Sequence, residues 1–236
     1  MIFKRKNVVI ISVLMVTILT FIFCFGLLVV KPTVDVPDKV KIVLDAGHGG
    51  IDGGVSGVNT MVKESDLNLQ IVKKLEKYLI SSDFNVVLTR NSDAGLYGVA
   101  TKNRKKKDMQ RRSEIINKVK PSLVVSIHMN KYSLSTRRGA QVFYKPNDEK
   151  GKKLANCVQN CFNKMEESSR ECSALMGDYY ILNCSEYPSI IAECGFLSNP
   201  EDEALLITEQ YQDNIAYTIF KGIVEFLLSP TFNYNY

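Results

Sequence analysis

The stretch Lys41-Ile-Val-Leu-Asp-Ala-Gly-His-Gly-Gly50 decides how this chain folds. Its first half is a short apolar run. Its second half opens a loop carrying Gly47, Gly49, Gly50, Gly53, Gly54 and Gly57. The pattern reads as a strand feeding a glycine-rich loop. The period then changes. After Glu64, the residues Leu67, Ile71, Leu75 and Leu79 recur every four positions, the spacing of one helical face. Asn85 to Thr89 follows as a second strand, and Asn91 to Lys107, polar and basic, reads as a loop.

The alternation continues to the end of the chain. Gln110 to Val119 is a helix ended by Pro121, and Leu123 to Ile127 a buried strand. Ala140 to Tyr144 alternates weakly as another strand, and Gly151 to Glu167 is helical. Tyr179 to Leu182 and Ser189 to Cys194 are further strands. Asn199-Pro200 forms an N-cap and first-turn proline. Gln210 to Leu228 closes the chain as a helix with Ile215, Ile219, Ile223 and Phe226 on one side. Strands alternating with helices specify a single α/β domain, its mostly parallel central sheet flanked by helices.

The 236 residues are 45% hydrophobic and 23% charged, which indicates a folded body rather than disorder. The net charge of +5 is compatible with an anionic partner without requiring one. A separate appendage precedes the body. Lys4, Arg5 and Lys6 are basic, and Val8 to Val30 carries no charge. As a helix that run would span roughly 34 Å, enough to cross a bilayer. The flanking basic residues favour a cytoplasmic N-terminus, which places the body outside. An uncleaved anchor is expected, with a cleaved signal sequence as the alternative. Residues 31–39 form a stalk, 40–230 the folded domain and 231–236 a tail. Beyond Cys24, the five cysteines Cys157, Cys161, Cys172, Cys184 and Cys194 cannot all pair with one another. They read as small buried hydrophobes with at most an optional bridge.

The chain has only two histidines, His48 in the glycine loop and His128 at the end of the run Leu123-Val-Val-Ser-Ile-His128. In open α/β sheets, sites gather at the carboxyl ends of strands. His48, His128 and Glu193 all fall there, and Glu64 opens the helix just beyond the loop. Two imidazoles and a carboxylate are a ligand set for catalytic zinc, and a further carboxylate can serve as acid or base. Glu64 also suits a helix N-terminus for its dipole alone. Glu193 could be a solvated strand-end charge, although the neighbouring residues from Ile190 to Cys194 are apolar.

Five segments occur in order: Asp45-Ala-Gly-His-Gly-Gly50, Lys63-Glu64, Val87-Leu-Thr-Arg90, Ser126-Ile-His-Met-Asn130 and Ala192-Glu-Cys-Gly-Phe-Leu-Ser-Asn-Pro200. Together they closely resemble the zinc-dependent N-acetylmuramoyl-L-alanine amidases of the amidase-3 type, from about Lys41 to Leu228. The resemblance implies one Zn2+ on His48, Glu64 and His128, with Glu193 as the catalytic carboxylate. The bond cut joins the lactyl group of muramic acid to the L-alanine of the peptidoglycan stem. The compact domain is most like the sporulation amidases that prepare muramic-δ-lactam in spore cortex, a modification needed for germination. A vegetative amidase of cell separation and a non-catalytic wall-binding scaffold are the alternatives. Met129 and Cys194 depart from the usual residues and bear on pocket shape rather than chemistry.

The remaining expectations concern support and partners. Asp45 either orients His48 or caps the loop, and Ser126 and Asn130 hold structure rather than substrate. Lys102, Arg104, Lys105, Lys106 and Lys107, with Arg111 and Arg112 close behind, form a basic cluster, read as a solvated loop that could also attract wall polymer or a protein. Nucleic acid is not an expected partner, since no aromatic-interleaved motif accompanies the charge. The resemblance further implies peptidoglycan as substrate, membrane attachment through the N-terminal helix, and a possible lipoprotein partner that steadies the metal site. It also implies an extracytoplasmic location, of which the forespore intermembrane space is one form.

Overall fold

A computed structural model describes residue 15, residues 40–168 and residues 170–230. The apolar stretch read as an anchor, the stalk and the tail lie outside the described residues. Among those described, no helix is long and apolar enough to cross a membrane. In chain order the elements are β1 (Lys41–Ala46), α1 (Glu64–Ser81), β2 (Asn85–Leu88), α2 (Arg104–Val119), β3 (Leu123–Asn130), β4 (Gln141–Tyr144), α3 (Glu149–Asn163), β5 (Leu175–Met176), α4 (Tyr180–Asn183), β6 (Ser189–Phe196), α5 (Pro200–Leu206) and α6 (Glu209–Leu227).

The six strands form one mixed sheet in the order β2-β1-β3-β6-β4-β5. β2, β1, β3 and β6 are mutually parallel, while β4 runs antiparallel to β6 and pairs in parallel with β5. The expected parallel core is therefore present, with an antiparallel edge pair beyond it. The chain leaves β1 to one side for β2 and returns to its other side for β3. That reversal opens a crevice at the carboxyl ends of β1 and β3.

Period-two alternation sorts the strand residues between two unequal faces. Ile42, Leu44 and Ala46 of β1, Leu123, Val125, Ile127 and Met129 of β3, and Ile190, Ala192 and Cys194 of β6 join the large core. There they meet Ile71, Leu75 and Leu79 of α1 and Ile215, Ile219 and Ile223 of α6. Each such side chain stabilises the fold by about 1.5–3 kcal/mol relative to exposure. The opposite face is thinly covered. Val43, Val124 and Ile191 pack there against Ile116 of α2 and Ile181 and Leu182 of α4. The same parity places Asp45, Ser126, His128 and Glu193 on that thinner face, with Asp45 opposite Ser126 and His128 opposite Glu193. A register shift follows immediately, between His128 and Asn130. Irregularities of this kind re-aim side chains beside functional sites.

Three local expectations are corrected. The basic run read as loop is helical from Arg104 onward, because Asp108, Arg112 and Ile116 make a buried stripe four residues apart. Tyr179 to Leu182 is not a strand but leads into α4. Its β-prone residues lie off the sheet, and Ile181 and Leu182 turn down onto the thin face. The helix expected to Glu167 ends at Asn163. Asn199 does cap α5, accepting from the backbone N–H groups of Glu201 and Asp202, with Pro200 in the first turn.

Candidate active site

Two glycines explain why the loop after β1 is glycine-rich. A Cβ on Gly47 would stand 2.3 Å from Nε2 of His128, so only glycine leaves room for that ring. A Cβ on Gly54, whose φ is +70°, would stand 2.3 Å from Oε2 of Glu64. The loop is therefore wrapped closely around two of the site's side chains. His48 itself has φ 61°, a region L-residues seldom occupy without compensating contacts.

Those contacts come from two buried guanidinium groups. Arg112 donates to the carbonyls of Ala46 at 2.8 Å and His48 at 2.6 Å. It also pairs with Asp45 and, at 2.6 Å, with Asp108. Arg90 donates to the carbonyls of Ala46, Gly47, Ser65 and Ser92 at 2.8 to 3.0 Å. The carbonyls of three successive residues, Ala46 to His48, are thus pinned by fixed charges. Asp45 accepts from Thr89 and Ser126 hydroxyls, each at 2.6 Å, as well as from Arg112. Burial alone would raise its pKa. The Arg112 charge and the two hydroxyls outweigh that and lower it to about 2. Asp45 therefore neither touches His48 nor caps the loop. It anchors Arg112, and Arg112 holds the His48 backbone.

His48, Glu64 and His128 converge. Glu64 Oε1 lies 2.9 Å from His128 Nδ1 and 3.3 Å from His48 Nε2, and one ligand atom from each residue lies within 4.8 Å of the others. The two rings meet edge to face, 5.1 Å between centroids. Oε1 of Glu64 accepts from the Met129 N–H at 3.1 Å and the Asn68 amide at 3.4 Å, and Oε2 accepts from the Val55 N–H at 2.9 Å. Burial of Glu64 opposes its ionisation, yet hydrogen bonds and charge from His128 and His48 hold its pKa below the usual carboxylate range. For His48, burial opposes protonation, but the Glu64 and Asp52 carboxylates outweigh it and raise the ring's pKa. Asp52 Oδ2 lies 3.0 Å from His48 Nδ1, close enough to pair but not aligned for a hydrogen bond. Asp52, not Asp45, is the carboxylate that faces the outer nitrogen of His48.

Glu193 opens into the same cavity of about 440 Å³, which His48, Glu64, His128, Tyr179 and Lys105 also line. Its Oε2 is buried without a hydrogen-bond partner. Burial pushes its pKa up to about 7, with the neighbouring Glu64 charge adding to the shift. An ionisable group near neutrality, with an unsatisfied oxygen, can take or give a proton at physiological pH. Asn130 lines the cavity too, its side chain accepting from the Lys131 N–H, while Ser126 is sealed against Asp45.

The donor set fits a divalent cation. Tetrahedral ligands at bonds near 2.1 Å stand roughly 3.4 Å apart, close to the spacings that Glu64 Oε1 makes with both rings. Two imidazoles and one carboxylate leave a position open, as catalytic sites require. Among the described residues no other group of His, Cys, Asp and Glu is so gathered. The five described cysteines are free, and none of them belongs to this cluster.

Sequence reading missed Arg112, Asp108, Asp52 and Asn68. The first two carried a signal in their four-residue spacing with Ile116. Asp52 and Asn68 carried none, since each acts through a loop or helix approach that periodicity does not encode.

Comparisons with known proteins identify the family. The amidase-3 family model, described as N-acetylmuramoyl-L-alanine amidase, matches residues 42–225. A germination-specific N-acetylmuramoyl-L-alanine amidase of Bacillus subtilis is 35% identical over 189 residues, covering 78% of each chain. The solved CwlD amidase of Clostridioides difficile, in complex with the GerS lipoprotein, is 36% identical with a TM-score of 0.77, covering 80% of this chain and 98% of that one. The amidase AmiC2 of Nostoc punctiforme is 29% identical with a TM-score of 0.69, over 80% and 98%.

Proposed function

This chain belongs to the amidase-3 family and is an N-acetylmuramoyl-L-alanine amidase acting on peptidoglycan, and we propose that it does this chemistry with zinc held by His48, Glu64 and His128. The observation that carries the proposal is the convergence of those three ligand atoms within 4.8 Å, beside Glu193 in one cavity. Zinc, when bound, would supply a Lewis acid for the scissile carbonyl and lower the pKa of water. The other roles belong to the chain. Glu64 is held ionised by the two imidazoles beside it, while two backbone N–H groups and the Asn68 amide donate to its oxygens. Glu193 takes the proton of the attacking water and returns it to the departing amine of L-alanine. Arg112 and Arg90 keep the His48 loop from drifting during that exchange.

We assign the reaction to spore cortex, where stem-peptide removal would precede muramic-δ-lactam formation. The germination-specific relative supports this setting. We assign the N-terminal apolar run to a membrane anchor that holds the domain outside the cytoplasm. The solved relative carries a lipoprotein, and a comparable partner here would steady the ligand loops. Mass spectrometry of digested peptidoglycan tests the chemistry. Peptide-free muramic acid with intact stem peptides is expected, and cleavage within the stem would contradict it. Cortex from cells lacking the chain should contain no muramic-δ-lactam. Normal lactam with failed cell separation would assign the enzyme to the vegetative wall instead.

A further inference from the structure

A hairpin joins the glycine loop to α1 and ends in Glu64. Ser56 bridges Lys63, the Gly57 N–H donates to the Val62 carbonyl at 2.9 Å, and the Glu64 N–H donates to the Val55 carbonyl at 2.9 Å. The same hairpin supplies the Val55 N–H that fixes Oε2 of Glu64. The aim of the Glu64 carboxylate therefore depends on where the hairpin stands. Arg90 and Arg112 hold the loop before it, at residues 46–48, and make no bond to its tip.

The tip is held from α5. Glu203 is a buried carboxylate, 1% exposed. Arg138, the cation that pairs along α5, goes to Glu201 and Asp202 instead. The charge of Glu203 is met by the hairpin. Its Oε2 accepts from the Asn59 N–H at 2.8 Å, and its Oε1 accepts from the Thr60 N–H and the Thr60 hydroxyl, each at 2.7 Å. Burial opposes ionisation, and these donors outweigh it and lower the pKa. The Val58 N–H adds a bond to the Leu197 carbonyl at 3.0 Å. Gly57 makes the approach possible, since a Cβ there would collide with Oε1 of Glu203. α5 stands in turn on the end of β6, where Asp202 accepts from the Phe196 N–H at 2.8 Å. Through α5, the strand carrying Glu193 and the hairpin ending in Glu64 are tied together.

We propose that Glu203 is a positioning residue for the metal site, a buried latch that holds the hairpin of residues 55–64 against the β6–α5 corner and so sets the affinity for zinc. The proposal rests on the reading of His48, Glu64 and His128 as zinc ligands. Hydrogen bonds to an ionised acceptor are stronger than neutral ones. Here they converge on one carboxylate, so the tip is released as a unit or not at all. With the latch closed, Glu64 meets the ion already aimed. With it open, binding must first order the hairpin, and that cost appears as lost affinity.

The test titrates the full-length chain in detergent micelles with Zn2+ against a fluorescent chelator, and follows hydrogen exchange of the metal-free protein by mass spectrometry. Glu203→Gln keeps the shape but removes the charge and turns one acceptor into a donor. It should weaken zinc by about tenfold. It should also speed exchange across residues 55–62 while residues 67–79 of α1 keep wild-type protection. Thr60→Val removes one bond of the latch and should weaken zinc by about threefold. Thr60→Ser keeps the hydroxyl and should bind zinc as the wild type does. Leu75→Ala destabilises the core away from the hairpin and should leave the zinc affinity of the folded protein unchanged, which separates aim from stability. Wild-type affinity in Glu203→Gln, or an equal loss in Leu75→Ala, would overturn the latch. Should Glu203→Gln fail to fold, wild-type affinity in Thr60→Val would overturn it. A wild type that binds no zinc would instead overturn the metal reading, and the latch with it.

Discussion

Replacing Arg112 by methionine should damage both stability and the metal site, and the structure sets the scale. The substitution keeps an apolar stem in place of the arginine's own while removing a guanidinium that touches two carboxylates and two carbonyls. Asp45 then keeps its burial and loses its counter-ion. In the wild type its pKa falls from 3.8 to about 2. At 1.36 kcal/mol per unit that shift represents about 2 kcal/mol of stability at neutral pH. Removing one partner of a buried pair costs about 3–5 kcal/mol in all, since the other charge stays buried. The Asp108 carboxylate and the carbonyls of Ala46 and His48 contribute within that range. For a domain of this size the midpoint should fall by about 6–20 °C.

The pH dependence gives the sharper signature. A carboxylate with a depressed folded pKa stabilises fully above its unfolded value near 3.8 and loses that contribution as pH falls toward about 2. In Arg112→Met the same carboxylate is buried without its cation, so its pKa should rise above the unfolded value. Acid then relieves the variant while weakening the wild type. The gap between their melting temperatures, measured by circular dichroism on a chain beginning at Lys39, should shrink from pH 7 to pH 3. A variant within about 1 kcal/mol of wild type, or a gap that widens in acid, would refute the argument.

Other outcomes follow from the same contacts. Gly47→Ala drives a Cβ into the His128 ring, so zinc affinity by competition titration should fall at least about tenfold with the fold intact; unchanged affinity would mean the ring moves freely. Asp52→Asn removes the carboxylate facing His48 Nδ1 and should weaken zinc by about 10- to 100-fold, read by the same titration. Leu75→Ala empties a fully buried position of α1 far from the chemistry. It should cost about 2–5 kcal/mol in denaturant unfolding, with zinc stoichiometry of the folded fraction unaltered.

The large core was legible because leucine and isoleucine spacing on α1 and α6 is strict, and because apolar runs marked β1, β3 and β6. His48, His128 and Glu193 stood out because strand ends in an α/β sheet collect such residues, and Glu64 because it opens the helix just beyond the glycine loop. What holds those positions was not. Arg112 looked like one more cation in a basic run, and only the depth of its helix face separates it from Lys106 or Lys107. Asp45 was equally open to orienting His48 or capping the loop, yet alternation turns it toward Ser126 and Thr89 instead. Tyr180 and its neighbours have strand-like composition, but the backbone turns helical there and packs Ile181 and Leu182 against the thin face instead. β5, at two residues, is below the length at which alternation carries information.

The central claim is that three residues hold the metal and a fourth works beside it. Metal content of purified wild type, His128→Ala and Glu193→Gln, measured together with turnover on peptidoglycan, tests it most directly. The account predicts one zinc per wild-type chain, loss of zinc in His128→Ala, and full zinc in Glu193→Gln with activity reduced by about 10² to 10⁴. Zinc lost from Glu193→Gln, or retained unchanged in His128→Ala, would contradict the assignment of ligand and base.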